Sequence, residues 1–202
     1  HDAAVLDAIE GRVALCADQC IEAVHFEPAI DLARAGRKAV LRCLSDLAAT
    51  RAHPIAVTLT LSAGSTRQEV ELQALLQGAR SAAAEHGAEL VAGDLACAPG
   101  RLVISVSALG RLRGADAPPG RDLARPGQGI YLSGPVGGSA FRGRHLEPRP
   151  RFDLIESARC ASAMMDVSDG LAWDLHRLLR ASRCACLLYT SPSPRDTMSA
   201  RL

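Results

Sequence analysis

Residues 31–61, DLARAGRKAVLRCLSDLAATRAHPIAVTLTL, set a helix directly against a strand. Leu32, Ala35, Ala39, Val40, Cys43, Leu44 and Leu47 recur at helical spacing, and Asp31 stands where it can cap the first turn. His53-Pro54 is expected to close that helix, because proline has no N–H to donate. Residues 55–61 then alternate, with Thr58 and Thr60 between apolar neighbours, as a half-buried strand does.

Working outward, residues 12–18 form a short apolar run ending in an acid and are predicted as a strand. Thr66-Arg67-Gln68-Glu69 fits a capping box for a second helix, which Gly87 should stop. Residues 88–92 and 102–109 are predicted strands, the first ending in Gly93-Asp94. Residues 111–129, rich in Gly, Pro and Arg, suit a connector between domains. A strand at 130–133 would enter the glycine turn 134–139, with helices at 153–163 and 170–182. Strands alternating with helices predict an α/β (α+β) fold. Residues 1–128 would be one domain and 129–186 the beginning of another. Residues 187–202, LLYTSPSPRDTMSARL, are polar, Pro/Ser-rich and aperiodic, and are expected to be a disordered or foreign tail.

At 202 residues and 48% hydrophobic composition the chain can build a real core, mostly from aliphatic side chains because only 3% of residues are aromatic. A formal net charge of +1 supplies no field to draw nucleic acid or an anionic membrane. The apolar runs are strand-sized, too short to cross a bilayer as helices. Seven cysteines without a C-x-x-C pair or a histidine at zinc spacing suit reduced thiols in the cytoplasm.

The recurring chemical feature is aspartate at or beside an apolar run: Asp2, Asp18, Asp46, Asp94, Asp166 and Asp169. Strand ends are where α/β proteins place ligands. Two like charges ~4 Å apart repel by about 4 kcal/mol at an effective dielectric near 20, so converging carboxylates need cations or raised pKa values. An all-oxygen ligand set without His or Cys favours Mg²⁺, which bridges carboxylates to phosphates. Taken singly, each aspartate also suits a helix cap or a turn. No P-loop pattern occurs, and Ser45-Asp46 has no histidine nearby in sequence to make a hydrolase triad.

Read in order, the blocks HDAAVL (1–6), ADQCIEAVHF (17–26), GRKAVLRCLSDLAA (36–49), LVAGD (90–94), LARPGQGIYLSG (123–134) and MDVSDGLAWDL (165–175) resemble the thiamine-monophosphate kinase family. That family shares a superfamily with aminoimidazole-ribonucleotide synthetase, selenophosphate synthetase and a hydrogenase-maturation protein. The resemblance implies a homodimer whose N-terminal sheets pair into a barrel, with ATP and several Mg²⁺ ions bound between domains. It implies Asp2, Asp18, Asp46, Asp94 and Asp166 as metal ligands, Asp169 for a further ion, and backbone contacts from Cys16 and Ala17. Gly93, Asp94, Arg121, Ser168 and His86 would meet ATP, and His25 the thiamine phosphate. No protein nucleophile is implied, since the substrate phosphate would attack the γ-phosphoryl group in line.

The sequence also departs from the family pattern. Cys16-Ala17 stand where hydroxyl residues precede Asp18, Ala23 replaces a glycine, and Cys43 replaces an asparagine before Leu44-Ser45-Asp46. Ala92 and Leu95 flank Gly93-Asp94 in place of Gly and Thr, His86 replaces a tyrosine, and Gln128 an aspartate. His1 occupies the position of a first acid, and both the lead-in to Asp2 and most of the second domain are expected to lie outside this sequence. Three further readings stand beside the kinase: an ATP-using superfamily relative, a dimerising nucleotide-binding fragment without turnover, and a phosphate-ester hydrolase.

Overall fold

The computed structural model describes residues 3–7, 9–114, 117–140 and 143–186. Asp2 and the expected tail at 187–202 therefore lie outside the described residues. The elements are β1 (Val13–Ile21), α1 (Leu32–Ala49), β2 (Ala52–Ala63), α2 (Glu69–Glu85), β3 (Glu89–Cys97), β4 (Val103–Leu112) and α3 (Leu171–Ala181). Three short 3-10 turns occur between β4 and α3. The mixed α/β expectation holds.

The four strands form one mixed sheet in the order β1-β4-β2-β3. β4 is antiparallel to both of its neighbours, whereas β2 and β3 run parallel. A parallel pair cannot be joined by a hairpin, and α2 supplies the crossover between β2 and β3. Both helices cover the same face. Leu41, Leu44 and Leu47 of α1 and Leu75 of α2 are at most 2% exposed and pack with Leu59, Ile104 and Val106 of the sheet. Each such side chain contributes roughly 1.5–3 kcal/mol by leaving water. The opposite sheet face has no helix on it among the described residues, and Leu15 there is 76% exposed.

α1 starts where the sequence predicts. The Asp31 carboxylate accepts a hydrogen bond from the Ala33 N–H at 2.9 Å, satisfying one of the first-turn donors. Asp31→Ala should lower stability by about 1 kcal/mol. Chemical denaturation would show a lower midpoint with an unchanged slope; an unchanged midpoint would mean the cap contributes nothing.

Five expectations are corrected by the fold. α1 ends at Ala49, and His53-Pro54 lie inside β2 instead of closing the helix. Pro54 is tolerated because the β2–β4 register shifts between Pro54 and Ala56, and β3 pairs with β2 only from Ala56 onward. The second helix begins at Glu69, not Thr66, and its box is formed by Gln68 and Glu71, whose carboxylate accepts from the Gln68 N–H at 2.8 Å. Gly93-Asp94 do not end β3, which continues to Cys97 because β2 offers a partner as far as Ala63. Residues 130–133 form no strand: without a neighbouring strand to pair with, Tyr131 is left 91% exposed. The predicted helix at 153–163 is reduced to the turns Phe152–Leu154 and Ser157–Cys160, with Ser157 turned back onto the Leu154 carbonyl at 3.1 Å.

Candidate active site

β1 alternates strictly. Cys16, Asp18 and Cys20 face the helices, while Leu15, Ala17 and Gln19 face the open side. Asp18 thereby meets α1, where Arg42 grips it in a forked pair at 3.1 and 3.2 Å and also donates to the Gln19 carbonyl. One helical turn after Arg42 comes Asp46, on the same side of α1. Beside Asp46, the Ser45 hydroxyl donates to the Asp166 carboxylate at 3.0 Å, tying residue 166 to α1 across 121 residues of sequence.

Three predicted ligands, Asp18, Asp46 and Asp166, are thus electrostatic neighbours. Burial first, then the charges of Asp166 and Asp18, push Asp46 up to about 6, against the opposing pull of Arg121 and Arg42. Asp166 is also raised, by burial above all; the Ser45 hydrogen bond and Arg121 oppose this, and Asp174 adds to it. Arg121, expected from the sequence to meet nucleotide, is therefore a cation felt by both acids.

His25 belongs to the same neighbourhood. Its Nδ1 accepts from the Ile21 N–H at 2.9 Å, and the Lys38 ammonium donates to its carbonyl. Burial, helped by the charges of Arg42 and Lys38, holds the imidazole below its usual pKa, so it is neutral at pH 7.

The remaining predicted residues lie differently. Asp94 is not brought to the cluster. The register Asp18–Val106–Leu59–Gly93 sets Gly93 at the height of Asp18 on the opposite edge strand, about 14 Å away at three strand spacings. Asp94, one residue on, is turned to the open face beside Thr60, in a polar row continued by Ser105 and Gln19, which are hydrogen-bonded at 3.1 Å. Gly93 leaves no room for a side chain, since a Cβ there would lie 2.4 Å from the Leu59 carbonyl oxygen. Asp169 pairs with Arg177, and its N–H donates to Asp174 at 2.9 Å. Ser168 is exposed between Asp166 and Asp169. His86 caps the end of α2 and stacks at a tilt on Phe152. Cys16 turns its side chain to the helices; Ala17 faces outward, and as β1 is an edge strand, alternate carbonyls there point away from the ladder.

Sequence reasoning passed over Asp174 and Arg42. Asp174 is 1% exposed, takes the Asp169 N–H and pairs with Arg177 at 3.3 Å. Its signal was present in the block MDVSDGLAWDL, where Asp174 follows Gly170 by one helical turn.

The acids are all oxygen donors, and two of them, Asp46 and Asp166, are raised by burial first and by neighbouring carboxylates second, so a cation beside them would favour their ionised forms. Among the described residues no three candidate ligands stand close enough to enclose one ion. Mg²⁺ does not require such a cage: it keeps waters and takes one or two carboxylates together with substrate phosphates. The donor chemistry therefore fits that ion.

Residues 1–112 match the family described as AIR synthase related protein, N-terminal domain. A thiamine-monophosphate kinase of Halobacterium salinarum is 35% identical over 201 residues, covering 93% of this chain and 68% of the relative. The chain belongs to the thiamine-monophosphate kinase family. The Rhodopirellula baltica member is 33% identical over 187 residues, covering 91% of this chain and 58% of its own length. Among solved structures, AaThiL complexed with AMPPCP and TMP superposes with a TM-score of 0.80 at 26% identity, covering 88% of this chain and 63% of that one. The chain thus spans less than two thirds of the length of the Rhodopirellula baltica relative and of AaThiL. No helix among the described residues is long and apolar enough to cross a membrane.

Proposed function

We propose that this chain carries the ATP- and Mg²⁺-binding part of a cytoplasmic enzyme that phosphorylates thiamine phosphate to thiamine diphosphate. The observation that carries the reading is the meeting of Asp18, Asp46 and Asp166, from β1, α1 and a segment more than a hundred residues later, in one partly buried field. The likeness to a family member complexed with AMPPCP and TMP supports the choice of substrates.

In this reading a phosphate oxygen of thiamine phosphate attacks the γ-phosphorus of ATP in line, and ADP leaves with the bridging oxygen. Bound Mg²⁺ would neutralise the phosphates. Asp18, Asp46 and Asp166, together with Asp2, would share such ions, one or two carboxylates to each, with phosphates and water completing the coordination. Asp94, on the far edge strand, and Asp169 would serve other ions or the nucleotide. Arg121 supplies a cation beside the acids, and Gly93, Ser168 and His86 complete the nucleotide contacts. His25, neutral at working pH, can approach the substrate phosphate without competing for the cations. Cys16 and Ala17 would contribute carbonyls from the edge strand. Residues 1–128 form the nucleotide domain and 129–186 begin the second. A second copy covers the open sheet face, where Leu15 and Val13 are exposed.

ADP release with Mg·ATP tests the proposal directly. Thiamine phosphate should stimulate it, with loss on chelation, while aminoimidazole precursors and selenide should not. Stimulation by either of the latter, and none by thiamine phosphate, would overturn it.

A further inference from the structure

Cys16 and Cys43 both stand at departures from the family pattern, and the fold brings the two together. Their Sγ atoms are 3.5 Å apart across 27 residues of sequence, and Cys16 Sγ lies 3.2 Å from the Cys43 carbonyl oxygen. Cys16 is partly exposed on β1, whereas Cys43 is fully buried on α1. Cys16 precedes Asp18 by two residues on one strand face, and Cys43 precedes Asp46 by three on one helix face. The sulfur pair is therefore the layer of the β1–α1 interface next to the acids.

The geometry points to a redox-active dithiol: Cys16 and Cys43 close to a disulfide on two-electron oxidation, covalently fastening β1 to α1 beside the carboxylates. The sulfurs must approach from 3.5 Å to about 2.05 Å, a movement of side-chain size. With hydrogen peroxide as oxidant, the accessible Cys16 sulfur attacks one peroxide oxygen and gives up its thiol proton, leaving a sulfenic acid and one water. The Cys43 sulfur then attacks the Cys16 sulfur, forming the S–S bond and releasing the hydroxyl as a second water. Two thiols and one peroxide become one disulfide and two waters, so atoms and electrons balance. The inference uses only the thiol pair and stands whether or not the chain binds thiamine phosphate.

The test is disulfide mapping of the full chain after stoichiometric hydrogen peroxide, with alkylation under denaturing conditions. Trypsin places Cys16 and Cys20 in the peptide 13–34 and Cys43 in 43–51. The expected product is these two peptides joined, about 2 Da lighter than their sum because two thiol hydrogens are lost, with fragmentation assigning the link to Cys16. Dithiothreitol should restore both thiols. The oxidised chain should melt higher, on the order of 5 °C, as a cross-link restricts the unfolded ensemble. Cys43→Ser and Cys43→Ala should each abolish the joined peptide. Recovery of Cys16 and Cys43 as separate alkylated thiols after the exposed Cys97 and Cys160 have been oxidised would overturn the inference. So would linkage of either to another cysteine.

Discussion

Replacing Asp46 by asparagine will move turnover and stability in opposite directions. In protein that turns over thiamine phosphate, Mg²⁺-dependent activity should fall by about 100-fold or more, as when a preorganised group facing transferring charge is removed. The metal-free variant should nevertheless be more stable than its parent. Burial and the charges of Asp166 and Asp18 push Asp46 up to about 6 from its ordinary 3.8, so ionising it in the folded state is unfavourable. The full shift would correspond to about 3 kcal/mol; because Asp46 keeps contact with solvent, about 1–2 kcal/mol is the better expectation. That is a rise in melting temperature of roughly 2–5 °C above pH 7.

The sign of the pH dependence follows. Between the unfolded and folded pKa values the folded chain binds more protons at this site than the unfolded chain. Its contribution to stability therefore falls as pH rises through about 6 and recovers on acidification. The Asp46→Asn side chain does not titrate, so the gain from the variant should vanish near pH 4. A variant that loses both activity and stability would make Asp46 a structural residue.

Adding one methyl group at the crossing of the two helices should be costly. A Cβ built on Gly36 of α1 would lie 2.1 Å from the Leu75 carbonyl oxygen, and one on Gly78 of α2 would lie 1.9 Å from that of Ala33. Both obstacles are backbone atoms inside helices, so no side chain can turn aside to relieve them. The helices must part, loosening the contacts of Leu75 and Ala79, both fully buried. Alanine is otherwise the better helix former, by about 1 kcal/mol. Against that gain, Gly36→Ala or Gly78→Ala should still cost at least about 2–3 kcal/mol, or roughly 5–10 °C in melting temperature. The double variant should lose less than the sum, because one separation relieves both clashes. Melting within a degree of the parent for either single variant would mean that the helices can part at no cost.

Much of this protein was legible before folding. α1 and its Asp31 cap follow from apolar spacing and one short polar side chain, because those interactions are local. β1, β2, β3, β4 and α3 could be found for the same reason, although every strand runs longer than its apolar signal. A strand ends where its partner ends, which is why Pro54 and Gly93 lie inside strands. The run 130–133 reads as a strand and is none, because a ladder needs a neighbour that composition cannot supply.

The sequence by itself determined which acids the chain has, and the ordered blocks determined its family. Only the tertiary structure decided which acids act together. Asp18 and Asp94 both lie in strands, but alternation within a strand and register between strands set them on opposite faces and opposite edges of one sheet. Asp166 comes within electrostatic reach of Asp46 where its carboxylate accepts from Ser45, 121 residues away in sequence. The same folding buries Asp174 and sets Cys16 against Cys43. Local spacing specifies elements; which side chains become neighbours depends on long-range pairing.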